Sequence, residues 1–247
     1  MCTLILAWQM FDDAPIAAAA NRDEALGRPS RPPGVLDENP RVVAPRDEEA
    51  GGTWIGYNDA GVFVAVTNRR TDIEGERSRG LLVRDALARE SASAADAFVQ
   101  SELADRRYAG FNLVVADREQ ARLLEWDGVL RTTNFDPGVH VVVNEGYDEA
   151  ATKAERIREA VRPEPTTDES ATELGGAAAW FERAKAVLRD HDLGACVHGD
   201  GYGTRSSSLV AVDADGTGRY WFADDAPCET DYEAVTVEET GESDGQI

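Results

Sequence analysis

Lysine is almost missing from this sequence of 247 residues. Only Lys153 and Lys185 occur, and every other basic residue is arginine. Positive charge is scarce altogether: 25 Lys+Arg stand against 47 Asp+Glu, a formal net charge of −22. A surface this acidic repels phosphate backbones and anionic headgroups, which argues against nucleic acid and membrane surfaces as partners. The balance matches a salt-rich, halophilic cytoplasm, where screening mutes repulsion between carboxylates. Cysteine is sparse too. Cys2, Cys196 and Cys228 make an odd count that suits a reducing compartment better than a disulfide framework. No apolar run approaches the roughly 20 residues of a membrane-spanning helix. The run 3–8 is too short for a secretory leader and lacks its basic flank. A cytoplasmic protein without membrane insertion is expected. Histidine is limited to His140, His191 and His198. Cys196-Val197-His198 offers two ligands and the other histidines lie off ligand spacing, so neither a metal nor another cofactor is expected. Asp213-Ala214-Asp215-Gly216-Thr217-Gly218 with Asp224 mimics a calcium loop, but strand-like flanks make it a hairpin turn.

A hydrophobic fraction of 42% is enough to build a core. Alternating or continuous apolar runs predict strands at 4–8, 16–21, 53–57, 62–68, 111–116, 122–126, 139–144, 207–212 and 219–223. Asn58-Asp59-Ala60-Gly61, Asp127-Gly128 and Asp213-Ala214-Asp215-Gly216 read as hairpin turns. Helical patterns occupy 80–90, 94–103 and 150–161, and Trp180, Phe181, Ala184, Val187 and Leu188 form an apolar stripe on a fourth helix. The order strands, helices, strands, helices, strands is an α+β layout. One domain is expected over 1–229. The segment 28–33 and the Pro/Thr/Glu-rich 162–176 read as loops, and the acidic 230–247 as a flexible tail.

Two groups of residues carry chemistry. Cys2 could be a small buried hydrophobe. At position two, however, removal of the initiator methionine would put thiol and α-amine on one residue. With its pKa of about 7.7–8.0, that amine could take the thiol's proton. Asn21-Arg22-Asp23-Glu24 ends the second strand and would return beside Cys2 in a hairpin, as a polar strand exit or as a partner for the thiol. Asn68 and Asn144 each end an apolar strand, as turn residues or as oxyanion donors. Trp54, Tyr57 and Phe63 could line a pocket or fill a sheet interface.

Met1-Cys2-Thr3, Asn21-Arg22-Asp23-Glu24, Gly52-Thr53-Trp54-Ile55-Gly56, Thr67-Asn68, Ser78-Arg79-Gly80-Leu81, Asn112-Leu113 and Tyr202-Gly203-Thr204-Arg205-Ser206-Ser207 follow one another in the order seen in the NRDE family. The chain resembles that family, which includes transport and Golgi organisation protein 2 homologues, from residue 2 to about 222. The family in turn is similar to N-terminal nucleophile (Ntn) hydrolases of the choloylglycine hydrolase and penicillin V acylase type. The resemblance implies a four-layer αββα sandwich with two antiparallel sheets. It also implies hydrolysis of a non-peptide C–N bond of a small molecule. In that reading Cys2 is the nucleophile, Arg22 stands by the thiolate, Asp23 anchors the amine, Asn68 and Asn144 form the oxyanion site and Arg205 is a further active-site arginine. Asn21, Glu24 and Trp54 would contact substrate. Arg22 and Asp23 are adjacent here, so a regular strand points them to opposite faces and Glu24 competes for the carboxylate role. Eukaryotic members are associated with haem and lipid handling, which leaves a non-catalytic carrier as the alternative.

Overall fold

The computed structural model describes residues 2–162 and 176–236; the expected loop between 162 and 176 and the end of the tail fall outside the described residues. Two seven-stranded antiparallel sheets stack face to face. In the first, the spatial order is β11 (Gly146–Tyr147), β10 (Gly138–Val143), β1 (Thr3–Phe11), β2 (Ala14–Ala25), β12 (Tyr202–Val212), β13 (Gly218–Ala223) and β14 (Glu233–Ala234). The second runs β3 (Ser30–Glu38), β4 (Arg41–Asp47), β5 (Ile55–Asn58), β6 (Phe63–Asn68), β7 (Phe111–Ala116), β8 (Ala121–Trp126) and β9 (Leu130–Asn134).

Three apolar layers hold this stack together. Leu4, Leu6 and Trp8 of β1 meet Phe63, Val114 and Leu123 of the second sheet in the central layer. Ile5, Ala7, Ala17 and Ala19 point the other way, onto α3 (Thr152–Val161) and α4 (Ala177–Leu188). The outer face of the second sheet packs on α1 (Arg79–Leu87) and α2 (Ala92–Asp105). Period-two alternation on the strands thus sorts each side chain to one of two layers. The expected αββα sandwich is what forms. The stripe Trp180, Phe181, Ala184, Val187 and Leu188 is wholly buried, as the spacing on α4 predicts.

Departures from the sequence reading lie at sheet edges. The expected loop at 28–33 is in large part β3, an edge strand with register shifts between Arg31 and Gly34 and between Val35 and Asp37. Pro32 and Pro33 lack an N–H, and only an edge strand tolerates that. β9, polar on both faces, carries no alternation to find. Packing also runs on past residue 229: β14 pairs with β13, and the Tyr232 hydroxyl lies 2.6 Å from that of Ser207. Among the described residues no helix is long and apolar enough to cross a membrane.

Candidate functional site

β1 and β2 place the first two expected groups together. Thr3 pairs with Asn21 on one side and Val143 on the other, so Cys2, one step earlier, sits level with Arg22 and Asn144. Cys2 continues the inward side of β1, with Leu4 and Leu6, and its thiol donates a long bond (3.6 Å) to the Asp23 carbonyl. Arg22 also faces inward. It is 6% exposed, and its guanidinium lies 4.2 Å from the Trp54 ring centre, a cation–π stack that covers the ring. Asp23, 1% exposed, faces the helix layer and accepts from the Thr204 hydroxyl at 2.7 Å. Arg22 and Asp23 therefore do point to opposite faces, as two neighbours on a strand must. Glu24 is back on the Arg22 side, in the cavity.

That cavity, about 90 Å³, is lined by Cys2, Arg22, Glu24, Trp54, Asn68 and Arg79, with the Arg28–Asp47 pair (2.6 Å) at its wall. Arg22 and Arg79 have no carboxylate within ion-pair distance among the described residues. Two guanidinium groups without a direct ion pair thus meet in one small space, with the Glu24 carboxylate in the same cavity. Burial lowers the pKa of both arginines, while the charges of Glu24 and Cys2 act in the opposite direction. Burial also pushes the Cys2 thiol up, with the Asp23 charge adding to it. The expected thiolate beside Arg22 is therefore outweighed by desolvation: the thiol keeps its proton at neutral pH unless a base removes it. Asp23 is likewise raised by burial, against the hydrogen bond from Thr204.

The asparagines sit where the two sheets are stitched. Asn68 ends β6 and lines the cavity; Asn144 follows β10, and its Nδ2 donates to the Asn68 carbonyl at 2.5 Å. Thr67 Oγ1 and Asn112 Nδ2 both donate to the Val143 carbonyl, at 3.2 and 2.8 Å. Asn144 thus spends its amide on the inter-sheet seam, and its Oδ1 is buried without a hydrogen-bond partner.

Two expected site residues are not brought in. Asn21 is 2% exposed and gives its amide to the carbonyls of Leu188 and Ala195, each at 2.8 Å, closing the end of α4. It therefore serves packing, because odd positions on β2 face the helices. Arg205 is the extra residue of a bulge between Thr204 and Ser206 and does not line the cavity; its charge instead acts on Asp224, where it offsets part of the rise that desolvation causes. A bulge shifts the alternation that would have aimed it with its neighbours.

Sequence reasoning did not single out Arg79, which lines the cavity, or Lys153, which does not line it but feels the charges of Asp23 and Cys2. Arg79 opens α1 inside the quoted Ser78-Arg79-Gly80-Leu81 run, and its Nη1 donates to Gly110 O at 2.8 Å. Lys153, in the first turn of α3, has its pKa lowered by burial and countered by the charges of Asp23, Glu145 and Cys2. Its rarity as one of two lysines was the available pointer. The spacing argument that left Cys196 and His198 as only two ligands does not hold in the folded chain. His191, Cys196, His198 and Cys228 bring their ligand atoms within 4.8 Å of one another. Cys228 comes from beyond β13, a link that linear spacing cannot reveal. His140 stands apart, bonded to Asp148 and to the Asp136 carbonyl, both at 2.8 Å.

Solved structures share this fold. Penicillin V acylase from Agrobacterium tumefaciens is similar at a TM-score of 0.51 and 13% identity, over 90% of this chain and 83% of that one. The N-acylethanolamine-hydrolyzing acid amidase ortholog of Caenorhabditis elegans is similar at 0.53 and 12%, over 87% and 94%. Conjugated bile acid hydrolase from Clostridium perfringens, in a mutant form, is similar at 0.50 and 12%, over 96% and 97%. In sequence, the Transport and Golgi organization protein 2 homolog of Homo sapiens is 26% identical over 256 residues, and that of Bos taurus 28% over 248. Each alignment covers 83% of this chain and 87% of the relative. The profile of TANGO2, Transport and Golgi organisation 2, matches residues 1–224, and the chain belongs to that family on an Ntn-hydrolase-like fold.

Proposed function

We propose that the protein is an amidohydrolase that cleaves a non-peptide C–N bond of a small acylated amine through Cys2, once Met1 has been removed. The observation that carries this reading is the meeting of Cys2, Arg22 and Asn68 in one cavity, with Asp23 directly behind the thiol. The raised thiol pKa makes a base necessary, and the freed α-amine of Cys2 is the nearest one chemistry offers. The sulfur attacks the carbonyl carbon and its proton passes to that amine. Asn68 faces the developing oxyanion, and Arg22 and Arg79, neither tied up in a direct ion pair, are the cations at hand to stabilise it. The C–N bond breaks as the ammonium returns the proton to the leaving nitrogen. Water, deprotonated by the same amine, then attacks the thioester and releases the carboxylic acid and the thiol. Asp23 holds the ammonium form. In a pocket of this size the acyl carbonyl enters, while the amine portion stays at the surface.

Intact-mass spectrometry on protein from its native host tests the first requirement: the mass must lack Met1. With a panel of N-acyl p-nitroanilides, an acyl adduct must appear on the wild-type chain and vanish in Cys2→Ala. Asn68→Ala is expected to lower kcat by about 10²–10³ with KM little changed. Retained Met1, or an adduct that survives in Cys2→Ala, overturns the reading.

A second reading has its own support. Asn144 is committed to the seam rather than to the cavity, which leaves the oxyanion site without its second expected amide. A non-catalytic carrier of haem- or lipid-type small molecules on the same fold would look like this. Spectral uptake of haemin without any product from the amide panel would favour it.

A further inference from the structure

Cys196, His198, His191 and Cys228 lie in the loops after α4 and β13, outside the lining of the Cys2 cavity. We propose that they form a structural zinc site of Cys₂His₂ type, which fixes the loop 189–204 behind Asp23. The proposal stands independently of any turnover at Cys2.

Donor chemistry is the first argument. Two thiols and two imidazoles are the set that a tetrahedral zinc ion takes in closed structural sites. Distances are the second. Cys196 Sγ lies 3.4 Å from Cys228 Sγ and 3.8 Å from His198 Nε2, and His198 Nε2 lies 3.1 Å from Cys228 Sγ. For bonds of about 2.3 Å to sulfur and 2.0–2.1 Å to nitrogen, a tetrahedron's edges are about 3.3–3.8 Å, so these three pairs lie in or within about 0.2 Å of that range. The four ligand atoms as a set, within 4.8 Å of one another, draw together by up to about 1 Å on binding. The His191 ring, 5.1 Å from that of His198 between centres, supplies the fourth corner. Binding converts two thiols to thiolates and releases two protons. The ion's charge is then balanced within the site, and no net charge is added to a surface already at −22.

The surroundings are already built to hold the ligands. Asp190 O accepts from the N–H groups of Ala195 and Cys196, and its Oδ1 from Leu193, so the turn between His191 and Cys196 is closed by one residue. Arg189 Nε donates to the Pro227 carbonyl at 2.8 Å and tethers the Cys228 segment to the same turn. Beyond the cluster, Val197 N–H donates to Thr204 Oγ1 at 2.9 Å, and that hydroxyl donates to Asp23 at 2.7 Å. Asn21 holds the Ala195 carbonyl from the other side. The stretch from Arg189 to Gly201 contains no helix or strand of its own, so a four-point clasp is what would hold the support of Asp23 in place.

The test uses the full chain, expressed with zinc and purified without chelator. Elemental analysis should find one zinc ion per chain. Exchange with Co²⁺ should give the intense visible bands and thiolate charge transfer of a tetrahedral S₂N₂ ion. Cys228→Ser and the exposed-site variant His191→Asn should each weaken retention at least about tenfold, and Cys2→Ser should leave it unchanged. Zinc should raise the melting temperature of wild type and not of Cys228→Ser. Substoichiometric metal with an unaltered melting temperature would overturn the proposal. So would an octahedral cobalt spectrum, or a Cys196–Cys228 disulfide recovered from native-host protein.

Discussion

At the scale of single residues, desolvation decides more than contact with opposite charge. Cys2 lies beside Arg22, yet its thiol is raised because burial removes the water that would stabilise a thiolate. Asp47 shows the opposite outcome. Burial pushes its carboxyl up, but the hydrogen bonds from Arg28, with help from the N–H groups of Glu49 and Ala50, outweigh that and leave it below its ordinary value. A depressed folded pKa contributes stability above the unfolded value of about 3.9, and that stability is lost as pH falls through the folded one. Asp47→Asn should therefore cost about 1–3 kcal/mol near neutrality. The gap from wild type should close as pH falls below the ordinary carboxylate range, as read from urea midpoints across pH. A gap that widens in acid would contradict the assignment. Cys2 and its neighbours were legible in the sequence because a hairpin returns 21–24 to the level of residue 2. The role of Asn21 was not legible, since its partners Leu188 and Ala195 lie far along the chain.

At the scale of elements, family motifs that looked like isolated runs turn out to touch. Gly52 and Gly80 meet back to back: a Cβ on Gly52 would lie 2.2 Å from the Gly80 carbonyl carbon, and Thr53 N–H donates to Gly80 O at 3.0 Å. This contact places Trp54 and Arg79 on adjoining walls of the cavity. Gly52→Ala forces backbone apart, so it should destabilise by about 1–3 kcal/mol and shift Trp54 fluorescence as the ring loses its seat. Guanidinium unfolding with tryptophan emission measures both, and unchanged midpoints would rule out the close approach. Strands with alternating or continuous apolar runs were readable, because each faces one or two dry layers. β3 and β9 were not, because an edge strand accepts proline or polar residues on both faces. Asn112 likewise looked like a motif of unknown purpose, and its amide proves to bind the two sheets together at Val143.

At the scale of the whole molecule, 22 excess negative charges oppose compaction. Raising KCl from 0.1 to 1 M shortens the screening length from about 10 to about 3 Å. The melting temperature should rise by more than about 2–4 °C, the shift that 1 kcal/mol produces in a domain of this size. A flat or falling melting temperature, followed by calorimetry, would show that the acidic surface is not a source of strain. By itself the sequence determined the α+β layout, the acidic charge balance and the pairing of Cys2 with the strand end at 21–24. All of these follow from local periodicity, composition and one hairpin. Only the tertiary structure decided that Asn144 serves the seam, that Arg205 turns away on a bulge, that Arg79 joins Cys2 in one cavity, and that two cysteines and two histidines converge. Those outcomes depend on which strand ends and loops from distant parts of the chain share one end of the stacked sheets. That proximity is set by packing of the layers and not by spacing along the chain.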